Sequence, residues 1–244
     1  MNGNLRAALA LSVAMVVSTM IAAHTFLKSK ELDHSIAVTG SSKKRIKSDL
    51  MIWGTSVSVE AAKLPDAYSR LTADVDKVRA FLVAQGFPQN QIIVSAVFTN
   101  PIRRTEKGEP AYGEMSGTIT GYHLKQSLQI RSPEIDKLTL VSRNVTQLIN
   151  QGILLESEAP KYLYTHLSET KVEMLAEAAR DAHDRAQQIA GSNGRKAGDL
   201  RSAQMGVLQV TAADSTQFSG EGVNDTTSLE KDITAIVHAT FAID

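Results

Sequence analysis

The sequence predicts an α+β fold, a mostly antiparallel sheet with helices packed on one face, preceded by an N-terminal transmembrane helix or signal sequence. Three observations carry this expectation. Leu50 to Val59 and Thr118 to Ile130 alternate apolar and polar residues with a period of two, as half-buried strands do. Other, longer segments repeat their apolar residues every three or four positions, which is the helical spacing. Neighbouring strand segments follow one another without the long crossover that a parallel pair needs, so antiparallel pairing is favoured. The order that results is β-α-β-β, then α-β-α-β-β.

The first element is an apolar run. Ala7 to Leu27 carries no formal charge and is interrupted only by Ser12, Ser18, Thr19, His24 and Thr25. At about 1.5 Å per residue it reaches roughly 30 Å, the thickness of a bilayer's hydrocarbon layer. A cleaved signal and a retained anchor both fit the run. Ile21-Ala22-Ala23 is only half of a small-x-small cleavage site and the apolar stretch continues to Leu27, which favours the anchor. Arg6 on one side and Lys28 with Lys30 on the other leave the topology unassigned by charge. The expected division is therefore 1–30 as anchor or signal segment and 31–244 as one α+β domain.

His34 to Gly40 and Leu50 to Val59 read as strands, the second placing Met51, Trp53, Thr55, Val57 and Val59 on one face. Pro65-Asp66 opens a helix that turns Tyr68, Leu71, Val75, Val78, Phe81 and Leu82 inward and stops at Gly86-Phe87-Pro88. Ile92 to Phe98 is strand-like, Arg103 to Ser116 reads as a polar loop, and Thr118 to Ile130 alternates again. Pro133 to Gln151 is a helix closed by Gly152 into a short strand at Ile153 to Glu156. The long helix from about Ser168 to Ser192 shows an apolar stripe through Val172, Leu175, Ala179, Ala182, Ala186 and Ile189. Strands at Leu200 to Ala212 and Asp232 to Ile243 flank a Gly/Ser/Thr/Asp-rich loop, Ala213 to Ser228.

Composition narrows the function classes. The 26 basic and 26 acidic side chains balance, so no global field draws nucleic acid, and none is expected as a partner. With no cysteine there is no disulfide, thiolate nucleophile or Cys-ligated metal. His183, among Glu177, Arg180, Asp181, Asp184 and Arg185, sits on the polar flank of the long helix. There Arg180 with Asp184, and Asp181 with Arg185, read as i,i+4 surface pairs. Asp181-x-His183-Asp184 lacks the spacing of a helical metal pair. Gly191, Gly194 and Gly198 follow the helix instead of preceding it, which fits a C-cap and not a phosphate cradle. Lys43, Lys44, Arg45 and Lys47 form a basic run, expected in a solvated loop and able to meet a polyanion. Trp53 and Tyr122 are expected in the core, and His123 and His166 lie far apart with no third ligand. The sequence thus names no catalytic, cofactor-binding or metal-binding residue.

Several segments in order resemble the SIMPL domain family: Val38-Thr39-Gly40, Lys47 to Trp53, Phe81-Leu82 before Gly86-Phe87, Pro160-Lys161-Tyr162, and above all the Ala-rich stretch Lys171 to Ala182. The resemblance spans Ser35 to Asp244. It implies an α+β domain held at the bacterial inner membrane and facing the periplasm, or free in the periplasm if the first segment is cut. It also implies a tendency toward ring-like or channel-like homo-oligomers and an association with oxidative-stress defence, and it supplies no catalytic residues. The leading expectation is a non-enzymatic, anchored envelope protein that self-assembles or scaffolds. The alternatives are a module that binds a protein or polyanion through Ala213 to Ser228 or the basic run, and an unrecognised hydrolase.

Overall fold

The computed structural model describes residues 3–31, 34–104, 110–112 and 117–244, with side chains described for 11–26, 34–104 and 117–244. The elements in chain order are α1 (Gly3–Glu31), β1 (Ser35–Lys47), β2 (Leu50–Ala61), α2 (Leu64–Ala84), β3 (Ile92–Val94), β4 (Phe98–Arg104), β5 (Pro110–Tyr112) and β6 (Thr118–Ser132). They continue with α3 (Ile135–Asn144), a 3-10 segment (Val145–Gln151), β7 (Leu154–Ser157), β8 (Lys161–Leu163), α4 (Leu167–Ser192), β9 (Ala197–Met205), β10 (Gln209–Ala212) and β11 (Glu230–Ile243). The α+β class is as expected, and the strands pair antiparallel throughout both sheets.

The described residues build two sheets with a core each. β2 is central to the larger one, pairing with β6 along its length and with β7 and β8 on its other side. The expected face of β2 is the buried one: Met51, Trp53, Thr55, Val57 and Val59 all point into a core closed by Leu71, Val75, Val78 and Leu82 of α2. Burying a Leu or Val side chain contributes roughly 1.5–3 kcal/mol each, so this face is what docks α2. Tyr68, expected inside, is 55% exposed, and Ala67 takes its place. Trp53 donates its indole N–H to Ser157 Oγ at 3.1 Å, satisfying the one polar atom it carries into the core. Helix α3 runs into its 3-10 segment, and Gly152, at φ 80°, supplies the left-handed turn that ends it.

The smaller sheet has β11 at its centre, with β1 on one side and β9 and β10 on the other, and α4 covers one face. Here the expected stripe is corrected. The buried positions of α4 are Thr170, Met174, Ala178, Ala182, Ala186 and Ala190, a strict four-residue step, while Val172 and Ile189 are 70% and 50% exposed and Ala179 is exposed. The reason is how closely the helix lies on β1. A Cβ built on Gly40 would stand 2.1 Å from the Ala178 carbonyl oxygen and 2.3 Å from the Ala182 nitrogen, so only the alanine row fits there.

Two other expectations are corrected in the same terms. The basic run is not a loop: Lys43, Lys44 and Arg45 lie inside β1, which Ser42 and Ile46 tie to the sheet by being buried on alternate positions. The polar loop expected at 103–116 begins one strand too early, because β4 continues to Arg104 and Pro110–Tyr112 pairs with it; residues 105–109 and 113–116 of that expectation lie outside the described residues. The C-cap reading of the glycines holds for Gly194, which is left-handed at φ 71° while the Arg195 amide closes on the Ala190 carbonyl, and is corrected for Gly191, which lies inside α4, and Gly198, which lies in β9.

α1 is a continuous helix whose described side chains include exposed apolar groups on all sides, among them Leu11, Val13, Met15, Val16 and Met20. Among the described residues no helix is long and apolar enough to cross a membrane. The expected span 7–27 runs past the described side chains at both ends, so 7–10 and 27 lie outside them.

The two sheets are joined where β1 passes into β2. Ser48 N–H donates to the Leu229 carbonyl at 2.8 Å, Asp49 N–H to Leu163 at 3.0 Å and Tyr162 N–H to Thr226 at 2.7 Å. Lys231 is 2% exposed and donates to the Tyr162 and Asp225 carbonyls, both at 2.6 Å.

Candidate functional site

The basic run, the 213–228 segment and His183 all fall on the smaller sheet and its helix, where the question is which of its edges is left open, while Trp53, Tyr122 and His123 lie on the larger sheet. A strand edge exposes a row of unpaired N–H and C=O groups that invites another strand, and proteins blunt such edges with charge, cover or bulges. The three edges here are treated differently.

β1 is the guarded edge. Its antiparallel partner β11 takes the amides of alternate residues, and the others point outward. Ser41 is one of these, and its N–H donates to Asp181 Oδ2 of α4 at 2.7 Å. This bond, with Arg185 beside it at 2.9 Å, holds the Asp181 carboxyl below the usual carboxylate range. The same strand carries the basic run, and most of that charge is spent within the chain. Lys44 reaches Glu173 at 2.7 Å, which raises its pKa above the ordinary lysine value. Arg45 grips Asp232 through Nε at 2.8 Å and Nη2 at 3.0 Å, and Lys43 reaches the same carboxylate at 3.0 Å. Three of the four cations therefore meet carboxylates of the protein itself.

β10 is the covered edge. The segment after it folds back, so that Val210 N–H donates to the Val223 carbonyl and Asp225 N–H to the Val210 carbonyl, both at 2.8 Å. The loop expected at Ala213 to Ser228 is thus a lid over this edge. Gln209 fastens it by accepting from and donating to the Ser219 backbone.

β9 is the open edge. It pairs with β11 on one side, and among the described residues no strand pairs with its other side. From Asp199 to Met205 every residue is exposed, including the large apolar Leu200 and Met205. Two register shifts against β11 bend it, but Arg201 and Asp199 are its only charges in that stretch, of opposite sign. Laid antiparallel on a second β9 with Leu200 opposite Leu200, the strand places Asp199 opposite Arg201 twice, an arrangement that favours pairing. The sequence signal for this edge, an ordinary strand of modest hydropathy, is weak; it is the absence of a neighbour that marks it.

The histidines are not gathered. His183 lies edge-on to Phe241, with ring centroids 5.5 Å apart, and near its own neighbours Asp184 and Gln187. His166 Nε2 is 3.7 Å from Asp49 Oδ2, at the start of α4, and His123 is on β6 of the other sheet. Among the described residues no three His, Asp or Glu side chains are placed to hold a metal ion. Of the expected surface pairs, Asp181 with Arg185 forms, and among the described residues no ion pair joins Arg180 to Asp184.

The sequence matches the family described as SIMPL, protein of unknown function (DUF541), over residues 36–241. No curated protein matches it. Among solved structures it is similar to an amidase of the hydantoinase/carbamoylase family from Burkholderia phymatum, at 11% identity and a TM-score of 0.29, over 57% of this chain and 36% of that one. It is also similar to an uncharacterized conserved protein from Listeria innocua, at 12% identity and a TM-score of 0.21, over 83% of this chain and 92% of that one. The chain spans about a third of the length of the amidase, and likenesses this weak carry no functional argument.

Proposed function

The chain belongs to the SIMPL family, and from that premise we propose that it is a non-enzymatic, membrane-anchored envelope domain that self-assembles through the edge of β9. The observation that carries this reading is the contrast between the edges: β1 is guarded by charge and by Asp181, β10 is covered, and β9 is exposed on both faces with an unpaired side. The occupant is a second copy, because the β9 sequence is complementary to itself in one register. The uncharged run Ala7 to Leu27 supports the same reading. It would hold copies in one bilayer through residues 7–27, on the outer side of the inner membrane, so that even a weak strand contact is strengthened by the raised effective concentration. Association with stress defence belongs to this proposal as the setting in which such an assembly acts.

The absence of cysteine makes the test clean. Leu200→Cys in isolated membranes, under a mild oxidant, is expected to give a covalent dimer, since residues facing each other across an antiparallel pair stand at disulfide distance. Lys47→Cys, on the guarded edge of β1, should stay monomeric. A dimer from Lys47→Cys and none from Leu200→Cys would overturn the assignment of the edge. Release of the full chain from membranes by an alkaline carbonate wash would overturn the anchor.

A further inference from the structure

The junction of the two sheets holds a cavity of about 300 Å3 that the assembly reading does not use. It opens where β2 begins, β6 and β8 end, α4 starts and β11 starts, with Val210 of β10 and Asn224 completing the lining. Among the described residues two cations line it, Lys231 and Arg131, and no carboxylate does. Lys231 is buried, and its ammonium meets the two carbonyls of Tyr162 and Asp225, with no ion pair among the described residues. Burial holds its pKa below the ordinary lysine value, with the Asp225 charge opposing from a distance. Arg131, exposed at the rim, meets no carboxylate and no hydrogen-bond acceptor among the described residues.

The rest of the lining is of two kinds. Leu50, Leu163 and Leu167 give an apolar floor, and Thr165 and Asn224 add polar groups. Asp49, the nearest acid to Thr165, is already engaged, accepting from the Thr165 amide at 2.9 Å and hydroxyl at 2.8 Å, and it does not line the cavity. Helix α4 starts here without a side-chain cap among the described residues, and Glu169 in its first turn opposes its positive end, so the field at the cavity rests on the two cations.

We propose that this cavity binds a small organic carboxylate, with the carboxylate held between the Arg131 guanidinium and the Lys231 ammonium and the apolar body resting on the leucines. A planar guanidinium matches a carboxylate with two parallel hydrogen bonds, and a volume at the small end of ligand pockets suits a body of some six or seven carbons. A bare inorganic anion would leave the apolar floor uncovered.

Benzoate is the probe, titrated calorimetrically into the full chain in lipid nanodiscs, with its neutral isostere benzamide and inorganic phosphate as the other arms. Benzoate is expected to bind with Kd of about 1 mM or tighter. Benzamide and phosphate should each bind at least about tenfold more weakly. Arg131→Gln, an exposed change that leaves the fold intact, should weaken benzoate by about tenfold or more, and Arg131→Lys should recover part of the loss. Equal binding of benzamide, phosphate as strong as benzoate, indifference to Arg131→Gln, or no benzoate heat at all would each overturn the proposal. Lys231→Met serves as a second variant, read only if its melting temperature stays near that of the parent.

Discussion

Replacing Gly40 with alanine is expected to lower the melting temperature by about 10 °C, through a loss of roughly 3 kcal/mol at the contact of α4 with β1. The added methyl would stand 2.1 Å from the Ala178 oxygen, 2.3 Å from the Ala182 nitrogen and 2.7 Å from the Ala182 Cβ. Two of these three atoms are helix backbone, which no side-chain rotation can move. The helix must therefore lift off the sheet, and the alanine row from Ala178 to Ala186 loses its tight contact with β1 and β11 along the way. A second substitution separates this account from simple crowding by one methyl. Ala182→Gly removes only the 2.7 Å contact and costs about 1 kcal/mol of helix propensity, so the double variant should be no more stable than Gly40→Ala alone. Rescue by Ala182→Gly would show that the side chain, and not the helix backbone, sets the spacing. Hydrogen exchange should report the loss in α4 and β1 and leave the core of β2 and α2 protected, because the two sheets have separate cores.

The same contact explains what was legible in the sequence and what was not. The face of β2 could be read because Trp53, Val57 and Val59 alternate with small polar residues, and a period-two pattern with large side chains has one burial solution. The face of α4 was misread because hydropathy ranks Val172 and Ile189 above alanine, whereas burial there is decided by how near the helix backbone comes to Gly40. That is a property of two segments some 140 positions apart, as the Ser41 to Asp181 bond is, and no local window contains it. The basic run misled in the opposite direction. Four cations suggest solvent, yet Ser42 and Ile46 bury on alternate positions and the cations find Glu173 and Asp232 on other elements. The division of the strands between two sheets was equally hidden, since β1 pairs with β11 at the far end of the chain. The candidate edge follows from that pairing, so it too became visible only in three dimensions.

Asp232→Asn should cost about 2 kcal/mol of stability near neutral pH and change how stability depends on acid. The Asp232 side chain is 2% exposed and accepts from Arg45 twice, from Lys43, and from the Asp214 amide at 2.9 Å. Asparagine keeps the size but has one accepting oxygen, so either Arg45 Nε at the Oδ1 position or the donors at the Oδ2 position, among them the amide of Asp214, a residue held at φ 62°, lose their acceptor. Lys43 and Arg45 are about half exposed and can turn to water, which keeps the cost below that of a fully buried pair. The hydrogen bonds from Arg45, with help from Asp214 and Lys43, hold the Asp232 carboxyl well below the usual carboxylate range. A depressed carboxyl contributes stability that is complete above its unfolded pKa of about 4 and is lost as pH falls toward its folded value. Denaturant melts of the two proteins should therefore differ by a constant amount from about pH 5 to pH 8 and converge as the pH drops below about 4. Asp181, Asp225 and Glu156 are depressed as well and are present in both proteins, so the difference between the two curves isolates Asp232. A difference that stays constant down to pH 2 would mean that the stability comes from packing around the side chain and not from its charge. The Arg45 and Lys43 contacts would then guard the β1 edge without stabilising the sheet.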